Sequence, residues 1–541
     1  MHATNLPASS HSRAWLLGAL GVVLFRALPN LRYPLGRDQA TYSVMGDGLL
    51  HSQLLYRDLW DIKPPGIFYI YAVIVKVFGH VMWSVGVIDI LWLLSISACI
   101  FYFAKRYLGA PAAAIAVVSN ALWHGSWGYV HAAQAETFIT LFVLLAYFIL
   151  ISRQREKWIG NFTVGLIFGA AFWVKYNAAL FFPVLTFLPY MDMSRFDDHP
   201  RRFTLSVPGR VWFQRTTVIV AGFLFAVAAV PIYFWAVGAW TFMKDGHFAI
   251  VPLYGSMFLQ YMHHYWSFAL TVTRNVLGPW TEAACAAALA IAWARREVRI
   301  IAPVVAMVAA GFATTASQPR LSSYSFETAY PFIAMLWGYV IVKLYEAFAH
   351  VRKSLLQRGW RLAGVLLWLV AADVVYYPLP GYADGIADDY SGLAAWMHDP
   401  ADSYKHYSFQ FPLEKLHDQM VIIDYLREHS RPDDGVYVWG TAPLINFLTP
   451  RPSPSRFMVN HPLISPWGPV WWRQDLIGEL HRQPPRFIIV ERHDQIPLVT
   501  LNNDDSEQCL RTFPTLASFI AARYESVKNL DDFEIYRLKQ P

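Results

Sequence analysis

The chain has 541 residues, of which 55% are hydrophobic, 16% aromatic and only 15% charged. A soluble globular domain carries about 25% charged residues, so the composition excludes an ordinary water-soluble protein. The net charge of +6 is too modest to point to a nucleic-acid partner. The 22 tryptophans and 29 tyrosines suit two membrane interfaces, where amphipathic rings settle. Cys99 and Cys285 lie in apolar runs and Cys509 lies near the C-terminus, so no disulfide framework is expected.

A membrane-crossing helix needs about 20 apolar residues, and Lys and Arg gather in cytoplasmic loops. The two rules together give a topology. Arg13 precedes a first span at 14–31, which has no cleavage signature behind it and reads as retained. The N-terminus is then inside, and a first outer loop at 32–80 holds DLWDIKPPG at positions 58–66. Residues 66–79 are too short to cross and read as an amphipathic helix on the outer surface. A span at 81–104 ends at Lys105 and Arg106, and spans at 109–127 and 137–152 return the chain to Arg153, Arg155 and Lys157. The stretch 161–190 carries Lys175 in its middle, and two short helices with Lys175 at their outer apex keep Arg195, Arg201, Arg202, Arg210 and Arg215 inside. The sequon Asn161-Phe162-Thr163 then lies inside and carries no glycan.

Spans at 216–238 and 276–294 enclose an outer loop, spans at 300–316 and 327–345 enclose a second, and a last span at 362–380 exits. The expectation is a polytopic α-helical membrane protein of about 11 spans. Residues 1–380 form its membrane domain and 381–541 a C-terminal extracytoplasmic α/β domain. In the latter, MVIIDYLREHS has helical periodicity, while GVYVWG, RFIIVERHD and FEIYRL read as strands.

On this topology the outer loops collect the chemistry: Asp38, Asp47, Asp58, Asp61, Lys63, His131, Glu136, Lys175, His247, His263, His264, Arg320 and Glu327. Ionisable groups at membrane depth are costly and usually functional. Pro64 and Pro65 fix the backbone after Lys63 and remove two donors, which pins the lysine at a turn. A carboxylate beside cations suits transfer from a phosphate-linked donor. The carboxylate takes a proton from an attacking hydroxyl, the cations stabilise charge growing on the departing phosphate, and such a leaving group needs no proton. The pair His263–His264 with His247 has no Cys or acidic spacing that supports zinc, so no metal is expected. Trp60, in the motif loop, is a candidate for stacking on a sugar, and Tyr42, Asp58 and Asp61 are candidate supports of the site.

The run RDQATYSVMGDGLLHSQLLYRDLWDIKPPGIFYIYAVIVKVFG resembles the first outer loop of the ArnT-like and protein O-mannosyltransferase superfamily, integral-membrane glycosyltransferases of the GT-C fold. HAAQAETFITLF is similar to the acidic start of one of its later spans, RLSSYSFETAYPFIAML to its penultimate outer loop, and GVYVWGTAPLINFLTPRPSPSRFMVNHPLI to the soluble tail of bacterial members. The resemblance implies a polyprenyl-phosphate-linked sugar donor and inverting transfer on the outer face of a bacterial cytoplasmic membrane, with a periplasmic C-terminal domain and no cofactor. It implies Asp38 as the catalytic carboxylate and Lys63 on the donor phosphate. Glu136 would be a second acidic position orienting donor or acceptor, and Lys175 and Arg320 further phosphate contacts. Gln39 stands where mannosyltransferases often have a second acid, and Ile62 where aminoarabinose-transferring members tend to have one. The acceptor therefore stays open among lipid, glycan and protein. A lipid-linked-substrate transporter or flippase is the rival reading, but it expects paired repeats with matched broken helices, and one interrupted segment here has no counterpart.

Overall fold

A computed structural model describes residues 10–125, 128–152, 157–187, 209–261, 264–277, 279–318, 321–358, 379–406 and 414–540. The expected last span at 362–380 falls almost wholly outside them, as do Arg320 and His263.

The described residues up to 358 are mainly helical: α1 (Ser10–Ala27), α2 (Arg37–Leu50), α3 (Gly66–Phe78), α4 (Trp83–Leu108), α5 (Ala110–Gly125), α6 (Ala135–Ile151) and α7 (Trp158–Val174). Then follow α8 (Phe181–Phe187), α9 (Gly209–Ala236), α10 (Trp240–Lys244), α11 (Val251–Tyr261), α12 (Tyr265–Leu277), α13 (Pro279–Arg295), α14 (Val298–Ala316) and α15 (Tyr330–Arg358). Four segments among the described residues are long and apolar enough to cross a membrane: Ser12–Arg32, Trp83–Leu108, Gly209–Ala236 and Tyr330–Ala349. The other apolar helices fall short of that length. The 17 residues of α6 cover about 26 Å at 1.5 Å per residue. In α3 the face bearing Tyr69, Val73 and Val77 is exposed while Ile67, Phe68, Tyr71 and Ile74 are buried, so its outward side is itself largely apolar.

Two features of this region bear on the site. First, α7 stops at Val174, Lys175 adopts an extended backbone (φ −160°, ψ 126°), and a 3-10 turn at Tyr176–Leu180 leads into α8. The helix break read from Lys175 is therefore present. Second, α7 and α9 approach through glycines: a Cβ on Gly165 would meet Ile219 O at 2.1 Å, and one on Gly222 would meet Phe162 O at 2.3 Å. Small residues permit this in apolar helix pairs.

The described residues of 239–275, a stretch read from sequence as an outer loop, are helical almost throughout, with a π-helical segment at Asp245–Ile250 between α10 and α11.

The C-terminal region holds helix Leu416–His429 and four strands, β1 (Val436–Trp439), β2 (Phe487–Glu491), β3 (Tyr524–Asn529) and β4 (Phe533–Leu538), in the order β1-β2-β4-β3. β1 and β2 are parallel, with Val436 opposite Phe487, whereas β4 is antiparallel to both β2 and β3. Every residue of β1 and β2 is buried, which explains their unbroken apolar runs. β3, YESVKN, is half-exposed and shows no such run.

The two regions are joined by the motif loop. Trp60 donates its backbone N–H to Arg456 O at 2.9 Å, and its ring packs 4.6 Å from Trp472 and 6.1 Å from Phe457. Trp60 thus belongs to the apolar core that Tyr437, Trp439 and Ile488 form in the C-terminal region.

Candidate active site

The motif loop is built to hold one lysine. Asp58 closes its first turn, accepting the Leu54 N–H at 2.9 Å and pairing with Arg57 at 2.8 Å. Asp61 is buried and accepts the Lys63 N–H at 2.8 Å, while Tyr56 donates its hydroxyl to Lys63 O at 3.0 Å. The backbone of Lys63 is thus held on both sides. Its Nζ lies 3.0 Å from Asp38 Oδ1 and 5.0 Å from the centre of the Tyr42 ring. Burial opposes the charge on Lys63, but Asp38, Asp61 and Tyr324 outweigh it and its pKa is raised. Burial raises the pKa of Asp61 in turn, against the pull of Lys63.

Gly66 sets where this loop sits. A Cβ there would meet Trp173 O at 2.6 Å and Val174 N at 2.9 Å, so only glycine lets KPPG press against the end of α7. The residue after Val174 is Lys175. This close approach brings the second lysine to the same place as the first.

Lys175 donates to Glu136 in the first turn of α6, and to Gln318 Oε1 at 2.7 Å. Glu136 is almost fully buried. Tyr324, in a 3-10 turn at Ser323–Phe326, donates its hydroxyl to Asp38 Oδ2 at 3.3 Å, and Lys175 Nζ lies 5.8 Å from its ring centre. Two lysine–carboxylate pairs are therefore bridged by one tyrosine.

These groups surround a cavity of about 260 Å³, lined among others by Tyr42, Lys63, Glu136, Lys175, Gln318 and Tyr324. Asp38 stands behind Lys63 and Tyr324, with 32% of its side chain exposed. Its place in the first turn of α2 is favourable for a carboxylate. Gln39 beside it is buried and donates to Ala132 O at 2.8 Å and Tyr129 O at 3.3 Å. An acid there could make neither bond.

The structure thus gathers Lys63, Glu136, Lys175 and Tyr42 around one cavity, sets Asp38 against the Lys63 ammonium and keeps Asp61 hydrogen-bonded to the Lys63 backbone. Asp58 holds a turn away from it. Trp60 is buried in the C-terminal core because its indole finds two aromatic partners there, Phe457 and Trp472, so it does not face the cavity as a sugar-stacking ring. Tyr324 and Gln318 escaped the sequence reading as individuals, although both lie in or beside the quoted loop RLSSYSFE. Neither carries a charge, which was the signal followed.

Residues 62–235 match the family described as dolichyl-phosphate-mannose-protein mannosyltransferase; that stretch includes Lys63, Glu136 and Lys175 but not Asp38 or Tyr324. The fold is similar to that of ArnT from Cupriavidus metallidurans in the apo state, with a TM-score of 0.50 at 13% identity over 97% of this chain and 98% of that one. The family match covers about a third of the chain, and the likeness to ArnT is one of fold. ArnT bound to undecaprenyl phosphate gives a TM-score of 0.49 at 15% identity, with 98% of both chains covered. The Archaeoglobus fulgidus oligosaccharyltransferase tethered with an acceptor peptide gives 0.47 at 12% identity, over 98% of this chain and 74% of that one. No curated protein matches the sequence. These likenesses agree with the fold class and the motif resemblance read from the sequence.

Proposed function

We propose that this GT-C protein moves a sugar from a polyprenyl-phosphate-linked donor to an acceptor hydroxyl, with inversion, at the outer face of a bacterial cytoplasmic membrane. The observation that carries the reading is the pair of lysine–carboxylate contacts, Lys63–Asp38 and Lys175–Glu136, around one cavity with Tyr324 between them.

The steps follow from this geometry. The donor phosphate enters between Lys63 and Lys175, whose ammonium groups stabilise the charge it gains as the sugar departs. In taking a phosphate oxygen, Lys63 loosens its hold on Asp38 and leaves that carboxylate able to accept a proton. The acceptor oxygen forms its bond to the anomeric carbon on the face opposite the phosphate. Asp38 takes the hydroxyl proton, and the carbon–oxygen bond to phosphate breaks with its electron pair on polyprenyl phosphate. Tyr324 keeps Asp38 oriented, and Glu136 holds Lys175 in place. Arg320, two residues beyond Gln318, is proposed as a further phosphate contact. Residues 1–380 are the catalytic membrane domain, and residues 381–541 form a periplasmic domain that grips the motif loop through Trp60.

The reading is tested by offering purified protein a panel of polyprenyl-phosphate sugars with lipid, glycan and peptide acceptors and measuring released polyprenyl phosphate. Release that depends on one donor and one acceptor is expected. Donor translocation across a vesicle without release would instead support a flippase.

A further inference from the structure

We propose that His124, His131 and Glu327 form a binding site for a structural divalent metal ion of the zinc class, separate from the lysine–carboxylate cavity. The three come from the end of α5, the turn before α6 and the turn before α15. All three are buried, and each offers a ligand atom within 4.8 Å of the others. Glu327 Oε1 lies 3.0 Å from His131 Nδ1 and 3.3 Å from His124 Nδ1. Ligands held about 2.0–2.1 Å from a tetrahedral zinc stand roughly 3.3 Å apart, so these spacings suit an ion with little movement of the side chains.

The far sides of both rings are held in the way that metal-bound histidines require. His124 Nε2 lies 3.0 Å from Asp89 Oδ2, and His131 Nε2 lies 3.0 Å from Ser323 Oγ. Asp89 also accepts the Ala133 N–H at 2.9 Å and the Asn30 amide at 2.8 Å. As an ionised carboxylate it only accepts, so the His124 Nε2 proton points to Asp89 and its Nδ1 faces Glu327. A carboxylate–histidine pair that turns the other ring nitrogen toward a common point is the outer shell of a metal site.

Charge favours the same conclusion. Asp89 is 0% exposed and Glu327 3% exposed, and among the described residues neither pairs with Lys or Arg; their ion pairs are all to His124 and His131. A buried charge without a counter-charge is costly. One imidazolium would supply a single positive charge for two carboxylates, whereas a divalent ion supplies both. The remaining Glu327 oxygen accepts from Thr137 Oγ1 at 2.6 Å, which fixes the carboxylate without using its inner oxygen.

The ion would staple the 323–327 turn to α4, α5 and the start of α6, and Tyr324 of that turn is the residue that donates to Asp38. Its role is positioning, and the site stands whether or not the sugar-transfer reading does.

The test uses untagged full-length protein, purified after zinc supplementation and washed with a weak chelator, with metal counted by mass spectrometry. About one zinc per chain is expected for wild type and for His264→Ala, an exposed histidine elsewhere. Glu327→Gln and His131→Asn, if they remain monodisperse, are expected to lose it. Because such variants can fail to fold, wild type is also stripped and titrated with cobalt(II). Intense visible absorption bands from tetrahedral cobalt with histidine ligands are expected at one equivalent. Wild type with no retained zinc and no cobalt spectrum would overturn the site and leave a His124 imidazolium between two carboxylates. Zinc retained undiminished in well-folded Glu327→Gln and His131→Asn would overturn it equally.

Discussion

Lys63 Nζ stands 3.0 Å from Asp38 Oδ1 although 25 residues of chain separate them. Nothing local brings them together. The loop between them is held by Asp58, Asp61 and Tyr56, and by Trp60 inserted into the C-terminal core, so the contact depends on the whole fold.

Lys63→Ala is expected to lower turnover by roughly 10²–10³, the usual cost of removing a donor that stabilises developing charge. It should also raise the apparent pKa of Asp38, because a neighbouring cation favours the ionised carboxylate. The acid limb of the pH–rate profile would then move to higher pH, which steady-state rates between pH 4 and 9 would reveal. A profile unchanged in position would mean that Lys63 acts elsewhere.

Tyr324→Phe removes one hydrogen bond of 3.3 Å to a carboxylate. A loss of about tenfold in turnover is expected, since such a bond to a charged group is worth on the order of 1.5 kcal/mol. Donor affinity, measured by a binding assay, should be nearly unaffected. A hundredfold loss of affinity would instead place Tyr324 on the donor.

Gly66→Ala puts a methyl group 2.6 Å from Trp173 O. Overpacking of this kind costs roughly 1–3 kcal/mol, so the melting temperature should fall and turnover should fall with it, as Lys63 and Lys175 are pushed apart. Gly18→Ala, which meets nothing within 4 Å, is the control and should change neither.

Much of this was legible before any coordinates. KPPG flagged Lys63 because two prolines and a glycine have backbone meanings that do not depend on context, and a lysine that interrupts an apolar run must have a reason. The same reasoning located the break at Lys175. Sequence could not show that Lys175 meets Glu136, nor that Trp60 turns away from the cavity, because both depend on packing between segments far apart in the chain. The buried cluster of Asp89, His124, His131 and Glu327 was invisible for the same reason, although His131 and Glu327 stood out singly. β3 was missed because its exposed face is polar and its pairing with β4 supplies the order.

Stability should depend on pH through the C-terminal region. Burial raises the pKa of Glu491 to about 7, with Asp494 adding to it and Lys415 and Arg37 opposing. Burial likewise raises Glu414, which accepts the Arg37 N–H, to about 7, well above the usual carboxylate range. The folded values lie above the unfolded ones. The stabilisation is therefore complete below about 4.5 and is lost as pH rises through 7. The melting temperature should be higher at pH 5.5 than at pH 8.5, and Glu491→Gln should flatten that difference. A melting temperature that rises over the same interval would contradict the assignment.

The central claim is that Asp38 is the base, and single-turnover transfer by Asp38→Asn, with the donor pre-bound, tests it most directly. The account predicts that the variant binds its polyprenyl-phosphate sugar as wild type does and releases polyprenyl phosphate about 10²–10⁴ more slowly. Release at the wild-type rate with donor bound would contradict it and leave Glu136 as the carboxylate to examine.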